Sequence, residues 1–278
     1  MHASFRRDAW YFDYPASLCS CWRWTLPLKM ILKTILEMLP RKPGSNPVPS
    51  VSTFNFNEAV NFEKRTIFVA IPKTGTTSVS DQLRVPGKAL IPHSHLNLLQ
   101  IRDGLYTYFL LTHLNKNRSF PSGETKTDAE VRLLSKKTFD EFFKFSAVRN
   151  PWARALSLYR RREATQLNDV MSFEDFCDRH FYCSDTCWHP TLHRNQLDWL
   201  CDESGKIGVD YVYKVENFAQ AIKDIEERTD GRLRLEMRHA NVNPQPRSQT
   251  YRDFYSPQTR KIISERFVKD IEFFGYEF

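Results

Sequence analysis

Apolar positions along this chain change rhythm several times, and each change marks an element. Residues 65–71 (RTIFVAI) form a nearly unbroken apolar run rich in β-branched and aromatic side chains, the pattern of a buried strand. The run stops at Pro72, and TTSVSDQLR beyond it reads as the start of a helix. A second strand–helix pair lies at 143–162 (FKFSAVRNPWARALSLYRRR). There Asn150 caps the helix and Pro151 fits its first turn, where a missing N–H costs nothing. A third pair spans 208–229: VDYVYKV alternates as a strand does, and the segment after Asn217 has helical spacing. Near the C-terminus one helix is expected, with Ile262, Ile263, Phe267, Val268 and Ile271 on its apolar face. Strands separated by helices predict an α/β fold with a central, mostly parallel sheet flanked by helices.

Upstream the pattern loosens. RKPGSNPVPS (41–50) carries three prolines, a glycine and two serines, and reads as a linker that divides an extension (1–50) from one domain (51–278). Within the extension, LPLKMILKTILEML (26–39) is an apolar helix with a narrow polar stripe of Lys29, Lys33 and Glu37. It falls short of the ~20 apolar residues a transmembrane span needs. A docked helix is the expectation, with weak membrane-surface contact through 26–39 as the alternative. The first 25 residues lack the small-residue site of a cleavable signal, so a cytoplasmic location is expected.

Composition narrows the ligand class without fixing it. Lys and Arg number 40 against 33 Asp and Glu, a net charge of +7 that favours anionic partners: nucleic acid, an acidic membrane, or a phosphorylated or sulfated small molecule. Of six cysteines, Cys177, Cys183, Cys187 and Cys201 cluster with His180, His189 and His193. His189 and His193 have H-x-x-x-H spacing, but Pro190 between them argues against a shared helical face, so ordinary buried or free thiols are expected, with a disulfide pair or a structural zinc site as the alternatives.

Two loops carry candidate chemistry. PKTGTTS (72–78) leaves a buried strand and opens a helix, so its backbone N–H groups suit an anion. Lys73 adds a point charge, Gly75 allows close approach, and Thr74, Thr76, Thr77 and Ser78 add hydroxyls. The G-x-x-x-x-G-K-[ST] spacing of the usual nucleotide loop is absent. In VRNPWARALSLYR (148–160), Arg149 ends a strand and Ser157 lies two helical turns on, a guanidinium and hydroxyl that can share a phosphate. Arg154 lies nearby, and Arg160, Arg161 and Arg162 read as a solvated helix face. Candidate bases are His93 and His95 in LIPHSHLNLLQIRD, then His113.

In order and spacing these two loops resemble those of the sulfotransferase superfamily, in its carbohydrate-type branch. VDYVYKVENF (209–218) and the C-terminal HANVNPQPRSQTYRDFYSPQTRKIISERFVKDIEFFGYEF (239–278) are similar to that family's later segments, so the likeness covers 65–278. It implies a P-loop-like three-layer fold and 3′-phosphoadenosine 5′-phosphosulfate (PAPS) as sulfuryl donor. PKTGTTS then takes the 5′-phosphosulfate, with Lys73 stabilising the departing oxygen. Arg149 and Ser157 take the 3′-phosphate, and Arg247 touches that phosphate or an acidic acceptor. His95 best matches the family's base, with His93 as the alternative. No metal is expected, because a sulfuryl group carries less charge than a γ-phosphate and one lysine beside backbone donors suffices. The acceptor is a free hydroxyl on a glycan, and no nucleic acid is expected. Glu216 orders a strand end, Tyr251 and Tyr255 pack the C-terminal segment, and Trp152 belongs to the core. The resemblance raises the Golgi lumen as an alternative location. Competing readings are a nucleotide kinase or NTPase of like architecture, and a non-catalytic basic module for nucleic acid or sulfated glycans. Loops at ~90–140 and ~163–205, which would select the acceptor, carry no readable code.

Overall fold

The computed structural model describes residues 54–119, 126–160, 171–182, 194–237 and 250–278. The expected extension, linker and 26–39 helix lie outside the described residues. Six strands are described: β1 (Phe54–Asn55), β2 (Val60–Asn61), β3 (Thr66–Val69), β4 (Lys88–Ala89), β5 (Phe143–Val148) and β6 (Tyr211–Lys214). Four of them form one sheet in the order β2-β3-β5-β6, while β1 and β4 pair separately. β3, β5 and β6 run parallel, with Phe68 opposite Phe145 and Phe145 opposite Tyr211; β2 runs antiparallel to β3.

The nearly continuous apolar run at β3 is explained by what covers it. Alternate residues of a strand point to opposite faces. Ile67, Val69 and Val148 join one cluster, and Phe68, Phe145 and Ala147 join another. α1 (Thr76–Leu83) follows β3, and its Val79 and Leu83 lie in the second cluster. α2 (Leu98–Ser119) and α3 (Asp128–Glu141) pack on each other before β5, and Ile101 and Leu105 of α2 lie in the first cluster. α4 (Pro151–Tyr159) follows β5 and adds Trp152 and Leu156 to that same cluster. The short helices α5 (Phe173–Cys177) and α6 (Leu197–Leu200) precede β6, and α7 (Phe218–Arg228) follows it after a 3-10 turn at Val215–Asn217. The chain is thus mixed α/β, a small sheet with parallel strands flanked by helices.

Local chemistry sets the helix ends. Asn150 Oδ1 accepts the N–H groups of Trp152 and Ala153 at 3.1 and 3.2 Å, with Pro151 in the first turn. Lys144 of β5 is buried and donates to the carbonyls of Phe139 and Phe142 at 3.0 and 2.9 Å, satisfying acceptors at the end of α3.

The single C-terminal helix expected from the apolar spacing is two: α8 (Pro257–Arg266) and α9 (Val268–Phe274). Phe267 breaks it, at φ −113° and ψ 30°, with its ring buried. The break rotates α9, so Val268 is 43% exposed, whereas Asp270 turns inward and is wholly buried. Among the described residues no helix is long and apolar enough to cross a membrane.

Candidate functional site

The loop from Pro72 to Ser78 joins β3 to α1. Lys73 (φ 69°) and Gly75 (φ 72°) are both left-handed, on either side of Thr74. Left-handed residues alternating in this way curl successive N–H groups into an anion-binding concavity. α1 begins with no side-chain cap and no acidic residue in its first turn, so its leading N–H groups and positive dipole end serve the same hollow. A β carbon on Gly75 would sit 3.0 Å from Val215 Cγ2, so glycine meets both the backbone and the packing requirement. Thr74 is buried and its hydroxyl donates to Ile71 O at 2.9 Å, bracing the turn from inside. Thr76 is buried, Lys73 and Ser78 are half-buried, and Gly75 and Thr77 are exposed.

The second loop clasps the first. Arg149 Nη1 donates to the Lys73 carbonyl at 3.3 Å and Arg154 Nε donates to the Pro72 carbonyl at 3.1 Å. A trans peptide points its N–H opposite its carbonyl, so this grip turns the N–H groups of Lys73 and Thr74 away from the arginines. Arg154 is 1% exposed; Nη1 reaches Arg194 O at 3.4 Å, and Nη2 has no partner among the described residues. Burial pulls its pKa down to about 10, opposed by the charge of Asp270, so the guanidinium stays cationic at neutral pH. Burial also lowers the pKa of Arg149, with Glu216 the main opposing charge. Ser157 is half-buried on α4, three residues beyond Arg154 and so on the same side of the helix.

Around this clasp runs a buried polar network. Gln196 pairs with the Arg149 backbone twice, accepting its N–H and donating to its carbonyl, each at 2.8 Å. Asp270 Oδ2 accepts from Gln196 N at 2.7 Å and Oδ1 from Leu197 N at 2.9 Å. Glu216 accepts the Asn150 N–H at 2.8 Å, ordering the strand end.

The two candidate histidines differ in what their rings do. His95 Nδ1 lies 2.8 Å from Ala70 O. A carbonyl only accepts, so the proton sits on Nδ1 and the neutral ring carries its lone pair on Nε2. His93 Nδ1 instead accepts the His95 backbone N–H at 3.2 Å, which places its own neutral-state proton on Nε2. Burial lowers the His93 pKa. Just beyond, Asn97 and Gln100 exchange side-chain-to-backbone hydrogen bonds of 3.0 and 2.8 Å that start α2. His113 lies about four turns along that helix.

Other sequence candidates fall as follows. Arg247 lies outside the described residues, as do Cys183, Cys187, His189 and His193. Cys177 and Cys201 are free thiols, and burial raises the pKa of both. Among the described residues no group of three or more His, Cys, Asp or Glu could hold a metal ion. Trp152 is core, the Tyr255 hydroxyl donates to its carbonyl at 2.8 Å, and the Tyr251 hydroxyl accepts from Asn150 Nδ2 at 3.3 Å. Arg160, read as part of a solvated face, lies over the Phe254 ring at 4.2 Å. Sequence reasoning missed the roles of Arg154, Gln196 and Asp270. For Arg154 a signal existed, since it lies one helical turn from Asn150; for the other two there was none.

A cationic, uncapped loop after one parallel strand, clasped by arginines from the loop after the next, suits an enzyme that transfers an anionic group. The family comparison makes the class specific: residues 59–277 match the sulfotransferase family, and the chain belongs to it. Enzymes of that family move a sulfuryl group to an acceptor hydroxyl, generally from PAPS. Searches of curated proteins and of solved structures each found no match.

Proposed function

We propose that this chain transfers the sulfuryl group of PAPS to a carbohydrate hydroxyl by in-line displacement, on a P-loop-like three-layer domain spanning 51–278. The observation that carries the reading is the double clasp of Lys73 and Pro72 by Arg149 and Arg154, which joins the two loops into one cationic site. The donor set fits a nucleotide bearing two anionic ends. Lys73, the N–H groups of 74–78 and the hydroxyls of Thr76, Thr77 and Ser78 would hold the 5′-phosphosulfate. Arg149, Ser157 and Arg247 would hold the 3′-phosphate. The bound donor supplies an electrophilic sulfur and a phosphate leaving group. Lys73 neutralises the charge that builds on the departing oxygen. His95 takes the acceptor proton on Nε2, the position that its bond to Ala70 O supports; His93 spends its Nδ1 lone pair on the His95 backbone and is the poorer base.

Thermal unfolding with adenosine 3′,5′-bisphosphate, 5′-AMP and Mg-ATP at equal concentration tests this. At about 100 times its dissociation constant a ligand adds about 2.7 kcal/mol. In a domain of this size that raises the midpoint by roughly 5–10 °C. The expected result is such a shift with the bisphosphate, lost in Arg149→Ala. A shift with Mg-ATP alone would favour the kinase reading. No shift, together with salt-sensitive polyanion binding, would favour a basic binding module.

A further inference from the structure

We propose that Gln196, held by Asp270, is a positioning residue that aims Arg149 at the 3′-phosphate; this rests on the reading of Arg149 given above. β5 ends at Val148, the last residue it pairs with β6. One residue further, the side-chain amide of Gln196 takes the place of a neighbouring strand, meeting both the N–H and the carbonyl of Arg149 at 2.8 Å. A planar amide bonded at both points fixes the two peptide groups that flank Arg149, and with them the direction in which its side chain leaves the backbone.

The amide is itself oriented. Asp270 Oδ2 lies 3.2 Å from Gln196 Nε2 and 2.7 Å from Gln196 N. A carboxylate accepts only, so the NH₂ end of the amide must face Asp270 and the Arg149 carbonyl, leaving the oxygen for the Arg149 N–H. Asn195 Oδ1 returns a bond from Asp270 N at 3.3 Å. Gln196 and Asp270 are both 0% exposed, so each bond is made in a low-dielectric interior where a lost partner is costly. Both act through another residue, because neither reaches solvent. The line of force runs from α9 through residues 195–197 to Arg149 Nη1, which bonds Lys73 O at 3.3 Å.

The test uses the full chain and isothermal titration with adenosine 3′,5′-bisphosphate and with 5′-AMP; the ratio of the two dissociation constants reports the 3′-phosphate contact. Gln196→Glu keeps the shape and the acceptor for the Arg149 N–H, but loses the NH₂ donors and opposes Asp270. The expected result is a fall in the ratio of about tenfold, the effect of one hydrogen bond to a charged group. Affinity for 5′-AMP should stay within about twofold. In an Arg149→Ala background the same substitution should leave the ratio unchanged, which a merely structural role would not predict. A ratio retained, a parallel loss for both nucleotides, or an equal fall in both backgrounds overturns the proposal. If the native chain shows no preference for the bisphosphate, or Arg149→Ala keeps it, the reading of Arg149 fails and takes the proposal with it. Asp270→Asn, which preserves volume but presents an NH₂ to the Gln196 donors, carries the same comparison if Gln196→Glu does not fold.

Discussion

His93 and His95 stand two residues apart, and backbone groups give their rings opposite roles. The Ala70 carbonyl holds His95 as the Nδ1–H tautomer, whereas the His95 N–H occupies Nδ1 of His93. His95→Asn should lower turnover by about 10²- to 10⁴-fold, the scale of a lost general base. Bisphosphate affinity measured by titration should stay constant. His93 makes a prediction of another kind. Its folded pKa lies below the ordinary 6.5 because burial disfavours the charged ring. As pH falls below that value, the unfolded chain takes up the proton first, so stability is lost through the folded pKa. Above the ordinary value both states are neutral and the residue contributes nothing. Urea midpoints at acid and neutral pH should therefore differ less in His93→Asn than in the native chain. The loop residues could be read from sequence because lysine, glycine and hydroxyls sit in a contiguous run. Gln196 and Asp270 could not, because they are 74 residues apart and their pairing exists only after packing.

At the scale of elements, caps and left-handed turns do the most. Asn150 caps α4 and also donates to Glu277 O at 2.9 Å, so it ties the helix start to the C-terminal segment. Asn150→Ala should cost about 1–2 kcal/mol, seen as a lower urea midpoint at constant slope. Gly75→Ala should cost about 1–2 kcal/mol for the left-handed backbone alone. The 3.0 Å approach to Val215 Cγ2 adds to that. Val215→Ala in the same chain should recover only the contact part, which calorimetry of the single and double variants can separate. The strands β3, β5 and β6 and the helices after them were legible, since each carries a clear apolar period or a cap. β1, β2 and β4 were not, at two residues each. Nor was the break at Phe267, because Ile262 to Ile271 keeps a helical period straight through it.

For the whole molecule, alternation of strands and helices was enough to predict parallel pairing, but not which distant residues meet. The contacts that bring the separate segments of the site together are long-range. Arg149 reaches Lys73 over 76 residues, Arg154 reaches Pro72 over 82, and Asn150 reaches Glu277 over 127. That separation has a kinetic consequence. Helices such as α3, with its local Thr127–Glu130 cap, can form before any distant segment arrives. The clasp cannot, since closing such long loops comes before the contacts that reward it. In stopped-flow refolding the far-UV signal should return ahead of bisphosphate binding, and the two should never coincide in their earliest phase. On the function proposed above, nucleotide capture is therefore a clock for the last stage of folding, and it should appear only once α9 has met the two loops.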